Sequence, residues 1–159
     1  MALIVRRLLD SEGELYLGIV NGAIRGLAAT HYPPDLIEGW VVPITGDSLR
    51  ELMQNADREI RLVAERDGVP AGIGALVVER SELRACYVSP AFARTGCGSA
   101  LVAELERLAR ERGLTRLELS GSLNAEPFYT ALGYQVRERS DVVLRNGVRL
   151  PAVRMEKDL

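Results

Sequence analysis

At 159 residues, with 47% hydrophobic and 26% charged side chains, the chain has the size and composition of one globular domain with a sizeable core, unlike a disordered or collagenous segment. Its 20 basic and 22 acidic residues leave a formal net charge of -2 with no basic stripe, which argues against nucleic acid as a partner. Cys86, Cys97 and the single histidine, His31, lack metal-ligand spacing, so no metal is expected. The start MALIVRRLLD turns charged at Arg6 and offers no signal-peptide core, which places the expected protein in the reducing cytoplasm.

Residues 2–9 predict a strand, and 13–29 a helix with Leu15, Ile19, Ala23 and Leu27 at helical spacing. Asn21 and Arg25 interrupt this apolar stretch, so it reads as a helix on a sheet and not as a membrane span. Gly18, Gly22 and Gly26 recur every four residues, a stripe that would seat the helix tightly. THYPPDLIEGWVVPITGDS, with three prolines and two glycines, predicts loops and short helical turns before a helix near Leu49–Gln54.

From Glu59 the pattern becomes an antiparallel meander of three strands, turning at Asp67-Gly68 and at Glu79–Ser81. CGSALVAELERLARERG then predicts an amphipathic helix with Leu101, Leu105 and Leu108 on one face, Glu106 paired with Arg110, and an end at Gly113. A strand at Arg116–Ser120, a helix at Asn124–Leu132 closed by Gly133, and a hairpin around Asn146-Gly147 complete the chain. Strand, loop, helix and strand make a right-handed βαβ crossover. The expected fold is α/β (α+β): a mixed, mostly antiparallel central sheet flanked by helices, as a single domain over 1–159.

The most informative stretch is CYVSPAFARTGCGSALV, where a strand stops at Ser89-Pro90 and Arg94-Thr95-Gly96-Cys97-Gly98-Ser99 runs into the long helix. Amides at a helix start lack internal acceptors and sit at the positive end of the helix dipole, so a diphosphate can accept from several of them. Gly96 and Gly98 carry no Cβ to block the anion, and Arg94 adds charge. Leu101 falls where a dinucleotide-binding fingerprint needs its third glycine, which weakens that rival.

YVSPAFARTGCGSALV followed by SLNAEPFYTALGY resembles the acetyl-CoA-binding half of the GNAT N-acetyltransferases, and HYPPDLIEGW extends a weaker likeness to the bacterial YafP-like acetyltransferases. The family loop begins with Gln or Arg, where this chain has Ala93. The resemblance implies acetyl-CoA as co-substrate, with backbone groups of Tyr87 and Val88 on the pantetheine arm. It places the diphosphate on Arg94, Thr95, Gly96, Cys97, Gly98 and Ser99, and adds Asn124 as a cofactor contact. It implies an amine acceptor, small molecule or peptide, and no nucleic acid or membrane; a homodimer stays open. The same cradle would also suit a non-catalytic acyl-CoA sensor or interaction module.

By the same resemblance Tyr129 stands where the family keeps its general acid, with a core tyrosine as the alternative, and Glu82 where histone-type members keep a base, with an exposed strand carboxylate as the favoured alternative. Helical spacing buries Phe128, Ala131 and Leu132 together and sets Tyr129 nearer a rim; Asn124 suits the helix N-cap. His31, Tyr32 and Trp40, in the irregular front segment, fall on the acceptor side, with His31 a second base candidate and Trp40 equally suited to anchoring a loop. Cys86 and Cys97 read as small buried hydrophobes.

Overall fold

The computed structural model describes residues 2–159. β1 (Leu3–Arg7), β2 (Ile60–Arg66), β3 (Val69–Val77) and β4 (Glu82–Val88) form the antiparallel half of a seven-stranded sheet. β5 (Arg116–Ser122), β6 (Gln135–Val143) and β7 (Arg149–Asp158) complete it in the order β1-β2-β3-β4-β5-β7-β6. Asp67 and Gly68 both take positive φ, 53° and 82°, as a two-residue hairpin requires. The crossover from β4 to β5 runs through α4 (Cys97–Glu111) and makes the only parallel pairing among the described residues.

Leu101, Leu105 and Leu108 of α4 are buried as expected, against Leu62, Leu76, Leu83, Leu117 and Met155 on one sheet face. Gly72 and Gly74 admit the helix there. A Cβ on either would come within 3.0 and 3.1 Å of Leu101 and Leu105. The opposite face carries α1 (Gly13–Leu27), whose Tyr16, Ile19, Val20 and Ile24 pack with Val63 and Ile73. Of the glycine stripe on α1, only Gly26 is a close approach: a Cβ there would lie 2.3 Å from Pro90, whereas at Gly18 and Gly22 nothing comes within 4 Å.

The proline-rich segment is more helical than its composition suggested. Pro34 occupies the first turn of α2 (Pro34–Trp40), where a missing N–H costs nothing. α3 (Gly46–Gln54) starts three residues earlier than expected, because Thr45 Oγ1 accepts from Ser48 N–H at 3.1 Å while Ser48 Oγ accepts from Thr45 N–H at 2.9 Å. Buried Asn21 fastens this segment to α1, its amide donating to Val42 O (2.7 Å) and accepting from Val42 N–H (2.8 Å).

Two expectations on the second half need correction. Glu106 does not pair with Arg110. It is 7% exposed and accepts from Tyr134 Oη (2.9 Å) and Lys157 Nζ (3.0 Å), joining α4 to β7, because its helical position faces the core edge rather than solvent. The helix expected from Asn124 is a 3-10 turn over Leu123–Ala125 followed by α5 (Glu126–Ala131), and Asn124 caps neither. Tyr129 is buried while Ala131 is exposed, because a six-residue helix holds too few residues for apolar spacing to fix its buried face. No helix among the described residues is long and apolar enough to cross a membrane.

Candidate active site

β4 and β5 part almost as soon as they meet. Their register holds one pair, Glu82 with Glu118, reinforced by Glu118 N–H donating to Ser81 O at 2.9 Å. A bulge in β4 accompanies the split: Leu83 faces Leu76 and Ala85 faces Ala75, leaving Arg84 as the extra residue. Bulges bend a strand and increase its twist. This one also reverses side-chain parity, so that Leu83 packs on the α4 side whereas Ala85 and Tyr87 pack on the α1 side.

The ladder decides which backbone groups face the gap. Ser89 N–H donates to Ala71 O at 2.8 Å, and in an antiparallel ladder alternate residues turn the same way, so Tyr87 and Ala85 also face β3. The backbone groups turned toward the gap are therefore those of Cys86 and Val88. This corrects the expectation for Tyr87, whose backbone groups face β3. Cys86 as a backbone donor was not foreseen, since nothing in the residues themselves announces the bulge that sets this parity.

Beyond β4 the chain makes a 3-10 turn at Pro90–Phe92 and enters the loop with Arg94 at φ 60° and Gly96 at φ 90°. The amides of residues 94 to 99 donate to no acceptor among the described residues; the ladder of α4 opens with Ala100 N–H on Gly96 O at 3.0 Å. Gly96, the N-cap, offers no side chain in their place. The result is a run of unpaired N–H donors at the positive end of a 15-residue helix. Thr95 Oγ1 donates to Phe92 O at 2.5 Å and stiffens the run, and Cys97 beneath it is buried. Gly98 has a packing reason as well, since a Cβ would meet the Phe128 ring at 3.1 Å.

Tyr129 stands on the α4 side of the gap, 6% exposed, not at the rim. Its ring lies 5.1 Å from Phe128 and 5.7 Å from Tyr134, centroid to centroid. Its hydroxyl has no hydrogen-bond partner among the described residues. Burial, reinforced by neighbouring Cys86, Tyr87 and Tyr134, pushes its phenol well above the ordinary range, so it holds its proton. Burial likewise raises the Cys86 thiol to about 12. Asn124, at the turn after β5, has a buried Oδ1 with no partner, an amide free of any capping duty.

The opposite wall is aromatic. Trp40 lies edge-on to Tyr87 (6.4 Å) and Tyr32 (5.7 Å). Burial pushes the Tyr87 phenol up to about 12, with Trp40 working against the shift. Tyr32 is a fastener and not a free pocket group: its hydroxyl donates to Pro151 O (2.5 Å) and accepts from Leu123 N–H (2.9 Å), tying the front segment across the split. His31 is exposed, its Nδ1 2.8 Å from Thr30 Oγ1. Glu82 lies at the closed end, both carboxylate oxygens accepting from Arg84 at 3.0 and 3.1 Å. Five residues of strand, roughly 16 Å, separate it from Tyr87. The structure thus gathers the loop, Val88, Tyr129 and Asn124 on one side and Trp40 with the Tyr87 ring on the other, and leaves Glu82 and His31 apart.

Comparison with known proteins agrees with this geometry. Residues 28–159 match the family described as the acetyltransferase (GNAT) domain. The Bacillus subtilis (strain 168) protein YyaT is 32% identical over 114 residues, 71% of each chain. A crystal structure of a GCN5-related N-acetyltransferase from Rhodopseudomonas palustris superposes with a TM-score of 0.91 at 27% identity, covering 100% of this chain and 97% of that one. PaiA N-acetyltransferase from Thermoplasma acidophilum, solved in complex with coenzyme A, shares the fold with a TM-score of 0.78 at 19% identity and 100% coverage of both chains. A mixed sheet split at its parallel pair, a helix opening on unpaired amides and a family match over most of its length lead to one conclusion: this chain belongs to the GNAT acetyltransferase family.

Proposed function

We propose that the protein transfers the acetyl group of acetyl-CoA to the amine of a small molecule or peptide. The observation that carries this reading is the unbroken run of unpaired amides from residue 94 to 99 at the mouth of the β4/β5 gap. Such donors suit a diphosphate, and Arg94 adds a cation with no carboxylate partner among the described residues. The open edge of β4 suits an amide-bearing arm laid along it as a surrogate strand, held by Cys86 and Val88 and reached by Asn124. This would bring the thioester between Tyr129 and the Trp40–Tyr87 wall.

Transfer requires a donor for the charge growing on the thioester oxygen and a proton for the departing sulfur. A gap-facing N–H of β4 serves the first need. Tyr129 serves the second: its raised phenol is neutral at every working pH, and its free hydroxyl is held by packing rather than by another partner. Glu82, ion-paired with Arg84, can act as base toward the acceptor only through water. Trp40 and Tyr87 shape the acceptor side.

Tyr129→Phe is the direct test. The expected outcome is a fall in kcat of about a hundredfold with the affinity for CoA unchanged. Unchanged turnover across the pH range would remove Tyr129 from the mechanism. A titration with acetyl-CoA followed by CoA release against a panel of amines tests the reading as a whole. Binding without acceptor-dependent release would favour a sensor, and no binding would end the acyl-CoA assignment.

A further inference from the structure

Arg66, at the end of β2, has an environment its own pairing does not explain. Its chain neighbours are engaged elsewhere: Glu65 accepts from Arg6 at 2.8 Å, and Asp67 Oδ1 accepts from Ala2 N–H at 2.9 Å. No carboxylate pairs with Arg66 among the described residues, and its Nε is buried without a partner. Leaving such a donor unmatched costs stability, so the placement calls for a return elsewhere. The guanidinium instead donates to the carbonyl of Thr95, and Nη2 lies 3.8 Å from where a Cβ on Gly96 would stand.

That carbonyl is half of a peptide unit whose other half is the Gly96 N–H, one of the unpaired amides of the loop. In a planar trans peptide the C=O and N–H point in opposite directions. A cation on the oxygen therefore fixes the plane that aims the N–H and, by drawing electron density toward the carbonyl, makes that N–H a stronger donor. Gly96 at φ 90° has no side chain to hold the plane by packing, and the Thr95 hydroxyl bond to Phe92 O ties a side chain and not this peptide, so the Arg66 contact is what acts on the carbonyl itself.

We propose that Arg66 is a positioning residue for the acyl carrier: from behind the loop its guanidinium orients and polarises the Thr95–Gly96 peptide, so that the Gly96 amide meets the diphosphate. The inference rests on the acetyl-CoA reading above. Arg66 acts through this peptide and not on the reacting atoms, so its effect reaches only ligands that carry the diphosphate.

The test compares acetyl-CoA with S-acetyl-N-acetylcysteamine, a thioester lacking the diphosphate, on wild type, Arg66→Gln and Arg66→Lys. For Arg66→Gln the Kd for CoA and the KM for acetyl-CoA are expected to rise about tenfold with kcat unchanged, since the lost bond is a charge-assisted one. The truncated thioester should react with the same kcat/KM on all three proteins. Arg66→Lys, which keeps a cation, should fall between the other two and carries the comparison if the glutamine variant does not fold. An unaltered Kd for CoA in a folded variant, or equal losses on both thioesters, would overturn the proposal. Failure of the wild type to bind CoA would instead overturn the reading on which it rests.

Discussion

Glu106 shows how a residue that looks like surface from its spacing becomes part of the interior. Its carboxylate accepts from Lys157 at 3.0 and 3.1 Å and from the Tyr134 hydroxyl at 2.9 Å, while Lys157 also lies over the Tyr134 ring, 5.5 Å from its centroid. Burial, then the negative charge of Glu106, pushes the Tyr134 phenol far above its ordinary value, so the hydroxyl stays a donor. Removing one partner of such a pair strands the other. Lys157→Met is expected to lower stability by about 2 to 3 kcal/mol, less than for a fully buried pair because Lys157 keeps some solvent contact. Replacing all three members, as Glu106→Leu with Lys157→Met and Tyr134→Phe, should recover most of the loss, because no buried polar group is then left unmatched. Urea unfolding of the two variants checks this. A Glu four residues before an Arg on a predicted helix is ambiguous in sequence, because its partner here stands 51 positions away on β7.

At the scale of elements, α1 gives the sharpest contrast. Gly26→Ala would drive a methyl into Pro90, 2.3 Å away, and push the helix off the turn that precedes the loop. A loss of about 1 to 3 kcal/mol is expected, with weaker CoA binding because that turn leads into the amide run. Gly22→Ala meets nothing within 4 Å and should instead stabilise by about 0.5 to 1 kcal/mol, through helix propensity alone. Equal thermal shifts in the two variants would contradict the packing account. The periodic spacing of the three glycines suggested one seam, but helical periodicity reports a face and not what lies against it. Periodicity served well where the element was long, as in α4, and poorly for six-residue α5, too short for its spacing to fix a face, so Tyr129 stands in the interior and not at the expected rim.

The whole molecule concentrates its raised phenol and thiol pKa values around the gap and the two cores. Tyr87 and Cys86 rise to about 12 from ordinary values of 10 and 9, and Tyr16, Tyr129 and Tyr134 rise too, in each case chiefly through burial. The folded state then holds protons that the unfolded chain releases. This stability is therefore complete below pH 9 and is lost as pH climbs from 9 to 10 toward about 12, at roughly 1.4 kcal/mol per pH unit for each such group. At the acid end Glu12, held by the Arg6 guanidinium, falls from 4.5 to about 2, so its contribution is present above 4.5 and fades as pH drops toward 2. Melting temperature against pH should fall on both flanks, and phenolate absorbance should rise with unfolding rather than before it. Phenolate appearing near pH 10 in the folded protein would refute the burial argument for these tyrosines.

By itself the sequence determined the succession of elements, the βαβ crossover, the mixed sheet and the glycine-bearing loop that opens α4. These depend on contacts between near neighbours: apolar residues at helical or alternating spacing, glycines at Asp67-Gly68 and Gly96, and a helix start without a capping side chain. Only the tertiary structure decided where β4 leaves β5, that the bulge at Arg84 turns Cys86 and Val88 toward the gap, that Tyr32 fastens the front segment across the split, and that Arg66 comes to rest behind Thr95. Each of these joins residues far apart along the chain through one or two hydrogen bonds or one shift of register. Such contacts leave no local pattern, because the residue types they use serve equally well on an exposed surface.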